Sequence, residues 1–258
     1  MAYLRGVTCD RVEPAAAHFV EYNVGGLMRV DCPSRDLGDR VVCSSKPEEV
    51  ALMYVRVTRV QSPPDAIEKG IAYFKETVVP AVKAAPGNAG AVLLVNRKTG
   101  AGVGITMWET AQALNASEQL GITSRTQSAA AMGGAIVNVE RYEQVIQDRA
   151  QPATAGAFVR QNIVAGTPER IDNAIKFMEK RLPEVRAQKG YRGLLMNVDR
   201  MTGRSIVATV WDTLADLEAS EAKVSGLRRE AAEAAGAADV KVEIFESAFA
   251  EVKQPTKV

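Results

Sequence analysis

Tyr54-Val55-Arg56-Val57-Thr58 returns later in the chain as Phe158-Val159-Arg160-Gln161-Asn162, and Thr106-Met107-Trp108-Glu109-Thr110 returns as Thr209-Val210-Trp211-Asp212-Thr213. Between them Arg97-Lys98-Thr99-Gly100 is echoed by Arg200-Met201-Thr202-Gly203. After the second pair, Ala116-Ser117-Glu118 matches Ala219-Ser220-Glu221, Arg125 falls on Arg228, and Val139-Glu140-Arg141-Tyr142-Glu143 falls on Val242-Glu243-Ile244-Phe245-Glu246. The offset is 103 residues from Pro80 (matched by Pro183) onward and 104 before it. A unit this long is a small domain rather than a solenoid repeat, so the pattern reads as domain duplication.

Each copy carries the same signals. Residues 53–60 and 157–164 mix β-branched and polar residues over strand length. A helix follows, entered through Pro64 or through Thr167-Pro168, with Pro suited to a first helical position and Thr to an N-cap. Its apolar stripe is Ile67, Ile71, Phe74, Val78 and Val82 in the first copy, and Ile171, Ile175, Met178, Leu182 and Val185 in the second; both follow one helical face. Runs at 91–95 and 194–198 then turn at Gly100 or Gly203 into runs ending at Trp108 or Trp211, which predicts a β-hairpin. Helical stretches over 111–132 and 214–235 end at Gly133-Gly134 or Gly236, and last strands are expected over 136–144 and 240–248.

The order β-α-β-β-α-β is the split ferredoxin-like arrangement, whose helices cover only one face of a four-stranded sheet. The bare faces of two such sheets can cover each other. The expected fold is therefore α+β: two ferredoxin-like repeats, 52–150 and 155–250, pairing their sheets into one intramolecular α+β barrel. Residues 1–51 stand outside the duplication as an irregular N-terminal extension with turn formers such as Gly25-Gly26 and Pro33-Ser34. Glu48-Glu49-Val50 is compatible with a purine-rich ribosome-binding sequence a short spacer before Met53, making Met53 the alternative start; a native N-terminal peptide beginning before residue 45 would defeat that reading. The tail 251–258, with Pro255 inside it, is expected to be loosely held.

Composition narrows the chemistry. The chain has 258 residues, 47% hydrophobic and 24% charged, and its 32 Lys and Arg against 31 Asp and Glu give a net charge of +1. That balance lacks the basic excess of a nucleic-acid binder or a polybasic membrane-attached protein. No apolar run approaches the roughly 20 residues of a bilayer span, and the first 20 residues lack the apolar core of a signal peptide, so a cytoplasmic protein is expected. The three cysteines, Cys9, Cys32 and Cys43, and the single histidine, His18, all precede the repeats. A His/Cys zinc site, a cysteine nucleophile, a Ser-His-Asp triad and a His-ligated haem therefore have no local residues inside the repeats.

The hairpins ending in Trp108-Glu109-Thr110 and Trp211-Asp212-Thr213, with a Glu-bearing final strand, resemble the antibiotic biosynthesis monooxygenase (ABM) superfamily of dimeric α+β barrels over residues 53–250. The haem-degrading branch of that family uses an Asn on the first strand, a Trp on the second helix and a His further along it. Here those positions hold Thr58 or Asn162, Ser117 or Ser220, and Thr126 or Arg229, so haem degradation is disfavoured. The branch that oxidises aromatic polyketides needs no metal and no organic cofactor, only a dry pocket, hydrogen-bond donors and a cation to stabilise a substrate anion.

The resemblance thus implies a protein that binds an apolar or aromatic small molecule, as a cofactor-independent monooxygenase or as a non-catalytic metabolite-binding or stress-related barrel. It is expected either as a monomer with an internal pseudo-dimer or as a homodimer. Alternation along the first strand, with the resemblance to orient it, puts Arg56 and Thr58 in one copy and Arg160 and Asn162 in the other on the helix-facing side. Arg160, Asn162 and Trp211 are the expected working pocket, with Arg56, Thr58 and Trp108 as its counterparts in a more degenerate first copy.

Each candidate also has a structural reading. The tryptophans suit packing anchors, and the two arginines suit ion pairs with helix carboxylates. Met178, Met196 and Met201 suit gap-filling. Tyr142 opposite Phe245 suits a core in which the hydroxyl is dispensable. Glu140 with Glu143, and Glu243 with Glu246, have the wrong parity for one strand face and are expected to line solvent. No phosphate loop is present.

Overall fold

The computed structural model describes residues 18–22, 26–30 and 52–253. The chain divides into two units, Met1–Val50 and Ala51–Val258. In the first, strands β1 (His18–Tyr22) and β2 (Gly26–Val30) pair antiparallel, with His18 opposite Val30. The expectations about Met53 as a start, and about the end of the tail, lie outside the described residues.

In the second unit the same six elements occur twice. The first set is β3 (Met53–Gln61), a helix built from α1 (Ile67–Tyr73), a π-turn (Phe74–Val78) and α2 (Val79–Lys83), then β4 (Asn88–Asn96), β5 (Ala101–Trp108), α3 (Ala111–Ala116) with α4 (Glu118–Ala131), and β6 (Ala135–Arg149). The second is β7 (Phe158–Ala165), α5 (Ile171–Arg186), β8 (Tyr191–Val198), β9 (Arg204–Trp211), α6 (Leu214–Ala235) and β10 (Val240–Val252). The eight strands close into a barrel in the order β10-β4-β5-β3-β6-β8-β9-β7. Among the described residues no helix is long and apolar enough to cross a membrane.

The change of offset at Pro80 has a physical location. The first repeat has one residue more between Arg56 and Pro80 than the second has between Arg160 and Pro183. The helix absorbs that residue as the π-turn Phe74–Val78, whereas α5 is α-helical throughout. All five residues of the first stripe are buried, so the wider turn keeps Phe74 and Val78 on the sheet side. Gly100 (φ 75°) and Gly203 (φ 76°) make the hairpin turns, and Gly236 (φ 71°) caps α6.

The last strands run further than their sequence suggests. β6 pairs with β3 of its own repeat up to Gln144, then continues to Arg149 along β8 of the other repeat. β10 likewise pairs with β7 up to Glu246 and then follows β4 to Val252. The two sheets are therefore joined by backbone hydrogen bonds at both seams, not only by facing side chains. Periodicity within one repeat cannot show a partner strand in the other.

Inside the barrel lie Val55, Val57, Met107, Val159, Ile206 and others in one apolar cluster, with Tyr142 and Phe245 equally buried in it. The helices cover the outside in two further clusters, one per repeat. Two expectations need correction. Glu140 and Glu243 do not line solvent: both bind Arg59, a neighbour of the barrel core on β3, and Glu140 also binds Arg204. Met201 is not a gap-filler, standing 89% exposed at the hairpin turn, while Met178 and Met196 are core.

Candidate binding site

Arg56 and Arg160 leave the sheet on its helix side and make the same three contacts. Arg56 donates to Leu114 O at 2.6 Å and Ser117 Oγ at 3.0 Å, and pairs with Glu118 Oε2 at 2.9 Å. Arg160 donates to Leu217 O at 2.6 Å and Ser220 Oγ at 3.0 Å, and pairs with Glu221 Oε2 at 3.0 Å. Each arginine thus clamps the second helix of its repeat to the first strand. Burial pulls both guanidinium pKa values down, and the glutamates oppose it.

Between helices and sheet each repeat holds a cavity, of about 90 Å³ in the first and about 50 Å³ in the second. The difference follows from the side chains. Gly104 stands where the second repeat has Val207, and Gly121 where it has Val224; all four line their cavities. Phe74 and Val78 of the π-turn form part of the first cavity's wall. At Gly121 a Cβ would come within 2.9 Å of Arg56 Nη1 and 3.1 Å of Arg125 Nη1, so a side chain there would displace these guanidinium groups from where they stand.

The electrostatics of the two corners differ. In the second repeat Arg228 is engaged through two of its nitrogens: its Nε donates to Asn162 Oδ1 at 2.9 Å and its Nη2 to Glu221 at 2.8 and 2.9 Å. In the first, Thr58 replaces that Asn. Arg125 keeps only its bond to Glu118, at 2.7 Å, and among the described residues its buried Nη1 has no partner. Glu118 is divided among Arg56, Arg125 and Arg141. Burial would raise its carboxyl, but the hydrogen bonds from Arg125 and Arg141 and the charge of Arg56 outweigh it and hold the pKa at about 2. The first cavity therefore has an ionised glutamate just outside its wall at neutral pH, a surplus of positive charge and an unused N–H among the described residues.

Arg56, Thr58 and Trp108, given the supporting role in the sequence, line the larger cavity together. Trp108 is fully buried, lies 5.9 Å from the Arg56 guanidinium, and donates its Nε1–H to Thr106 Oγ1 at 3.1 Å. Arg160 and Asn162 line the smaller cavity, but Trp211 is not part of its wall and packs edge-on against Tyr191. Asn162 is committed to Arg228 and to Val207 O. The sequence reading missed Arg125, Gly104 and Gly121; comparing the two copies position by position, for lost side chains as well as kept ones, carries that signal.

No family model matches the chain. It is similar in sequence to two proteins of Mycobacterium tuberculosis strain H37Rv: the uncharacterized protein Rv2557 is 28% identical over 208 residues, spanning 80% of this chain and 92% of that one. The uncharacterized protein Rv2558 is 27% identical over 210 residues, spanning 81% and 89%. Among solved structures, an anthrone oxidase-like protein superposes with a TM-score of 0.59 at 12% identity, covering 80% of this chain and 94% of its own. A provisionally assigned monooxygenase of Lactobacillus acidophilus gives 0.57 at 9%, covering 78% and 96%. At such identities the likeness is one of fold, and it extends over both repeats. The fold shared with these structures is an α+β barrel, built here from two ferredoxin-like repeats on one chain.

Proposed function

We propose that the cavity between helices and sheet in the first repeat binds a small aromatic or apolar molecule in anionic form, and that the protein acts on it as a cofactor-independent monooxygenase. The observation that carries this reading is the corner formed by Arg56 and Arg125 around Gly121, where two cations and an unused donor face an apolar chamber. A buried cation beside an empty apolar space favours an anion whose remaining surface is greasy. The anthrone oxidase-like neighbour supports an acidic phenol or its tautomer as the class of substrate.

The residues present define what the protein would contribute. Among the described residues lining the cavity there is no carboxylate, and Glu118 just outside it is too weak a base to deprotonate an ordinary phenol. The substrate must therefore ionise at neutral pH once the guanidinium groups stabilise its anion. Dioxygen then takes four electrons: a ring methylene becomes a carbonyl by gaining one oxygen atom, and the second oxygen leaves as water with the two methylene hydrogens. Excluding bulk water keeps the anion and its oxidised intermediates from side reactions.

Oxygen uptake with a panel of acidic phenols and anthrone-type substrates tests the reaction, and quenching of Trp108 emission in a Trp211→Phe background tests binding. Uptake and quenching that both vanish in Gly104→Val support the proposal. Saturable quenching without uptake would leave the second reading, a non-catalytic metabolite-binding barrel, which the missing base favours. Neither response with any compound would remove both.

A further inference from the structure

The barrel interior holds a second chamber, of about 80 Å³, that neither helix layer touches. Its walls are aliphatic, with Val55, Val57, Leu94, Val159, Ile206 and Ala208 contributing from both repeats. Its polar lining comes from four strands: Gln144, Asp148 and Arg149 on β6, Gln161 on β7, Arg192 and Asn197 on β8, and Ser247 on β10, with Asn197 opposite Gln144. The Asp148 carboxylate is taken up by Arg186 and Tyr191, and Arg192 is paired with Asp212.

Three of these polar groups break the internal symmetry. The positions equivalent to Gln144, Asn197 and Arg149 are Ser247, Leu94 and Val252. A barrel made of two identical chains would carry any interior arginine twice. A fused chain can carry it once, and here it does.

Arg149 is half-buried, and among the described residues no carboxylate pairs with it. Its Nη2 lies 3.9 Å from Met107 Sδ. Its oxygen partner is the neutral carboxamide of Gln147, which a half-turn of the amide brings to 2.9 and 3.0 Å. Burial alone acts on this guanidinium and lowers its pKa; no neighbouring charge opposes it. Gln144, 5% exposed, donates to Asn197 Oδ1 at 3.1 Å, while among the described residues its own buried Oε1 has no partner. A half-buried cation with no counter-ion and a buried acceptor with no donor both cost stability unless something else satisfies them.

We infer that the barrel interior is a second binding site, distinct from the cavity under the helices, for a small apolar monocarboxylate whose carboxylate pairs with Arg149 and whose chain lies along the aliphatic wall. The distance along β6 from Gln144 to Arg149 is roughly 16 Å at ordinary strand rise, room for a medium-length chain. The end beyond Gln161 is occupied by protein: Arg59 donates to Gln161 Oε1 at 3.0 Å and is held there by Glu140 and Glu243. The other end is bordered by the linker between the repeats, where Arg192 binds Pro152 O and Thr154 Oγ1.

The probe is octanoate, titrated into the full chain by calorimetry, with octanol as the uncharged control. The expected result is one saturable site, at least ten-fold tighter for octanoate than for octanol, and weakened at least ten-fold in Arg149→Gln. Ala208→Ile, which places the first repeat's own Ile105 side chain at the equivalent wall position, should also abolish binding, whereas Gly104→Val should leave it unchanged. Arg149→Gln should melt at least as high as the parent without ligand, because it removes an uncompensated charge, yet show no octanoate-induced rise. If it fails to fold, Ala208→Ile and the octanol comparison decide. No saturable octanoate binding, equal affinity for octanol, or loss of binding in Gly104→Val would overturn the inference.

Discussion

Gly104 in the first repeat and Val207 in the second face their helix layers from the same place on the same strand, and the larger cavity lies over the glycine. A Cβ at Gly104 would sit 3.6 Å from Phe74, an ordinary contact, and the backbone there needs no positive φ. Gly104→Val should therefore fill the cavity without strain. The expected outcome is an unchanged or raised melting temperature together with loss of ligand-dependent Trp108 quenching. The reciprocal Val207→Gly should lose about 2–4 kcal/mol, from a new void and a glycine inside a strand, measured by urea unfolding.

Glu118 gives the first repeat a pH signature. Its carboxyl titrates at about 2 in the folded chain against an ordinary value of 4.5. A depressed carboxyl contributes stability that is fully present above 4.5 and is lost as pH falls through 2. Urea midpoints of the parent should thus decline across pH 4.5 to 2 more steeply than those of Glu118→Gln, and the two curves should converge at the acid end. Parallel curves would show that the three arginines do not hold this carboxylate.

Arg56 and Arg160 test whether clamp and ligand anchor are separable. Both tie the second helix to the first strand through a carbonyl and a serine. Replacing either with Met should cost about 2 kcal/mol, the loss of charge-assisted hydrogen bonds from a buried site. Only Arg56→Met should also weaken ligand binding in the first cavity. Arg125→Met removes the unpartnered donor instead, and should weaken binding with less than half the stability loss. An Arg56→Met chain as stable as the parent would show that the helix contacts carry no weight.

The sequence made the repeat, the order of elements and the barrel legible because each rests on local spacing: a helical stripe from Ile67 to Val82, a glycine at each hairpin, a tryptophan at each strand end. The side of the sheet on which Arg56 and Thr58 stand followed from strand alternation once the family resemblance supplied an orientation. Which repeat holds the roomier cavity did not follow. Asn162 looked the more functional residue than Thr58, yet its amide is spent on Arg228, and Thr58 is what leaves Arg125 partly free. Room is made by absent side chains, at Gly104 and Gly121, and a reading that matches retained residues passes over them. The seams were hidden for another reason: the partner of residues 145–149 lies in the other repeat.

Those seams carry a final prediction. Gly90 and Gly193 are equivalent positions, each at a register shift near the start of its strand, where the long strand of the other repeat lies closest. A Cβ at Gly193 would meet Asp148 O at 2.6 Å, and one at Gly90 would meet Glu251 O at 2.7 Å and Val252 Cα at 2.9 Å. Both clashes are with backbone, so neither can be relieved by a rotamer change; the strands themselves must part. Gly90 also has φ 156°, which adds strain for any L side chain, whereas Gly193 has no positive φ. Gly193→Ala should cost about 1–3 kcal/mol, and Gly90→Ala more. Because β6–β8 and β10–β4 are the two joins that close the barrel, the loss should appear as faster amide hydrogen exchange in residues 146–149 for Gly193→Ala and 249–252 for Gly90→Ala, each at its own seam. Exchange that accelerates evenly over the barrel in either variant would mean that the seams do not open separately and that the closure is one cooperative unit.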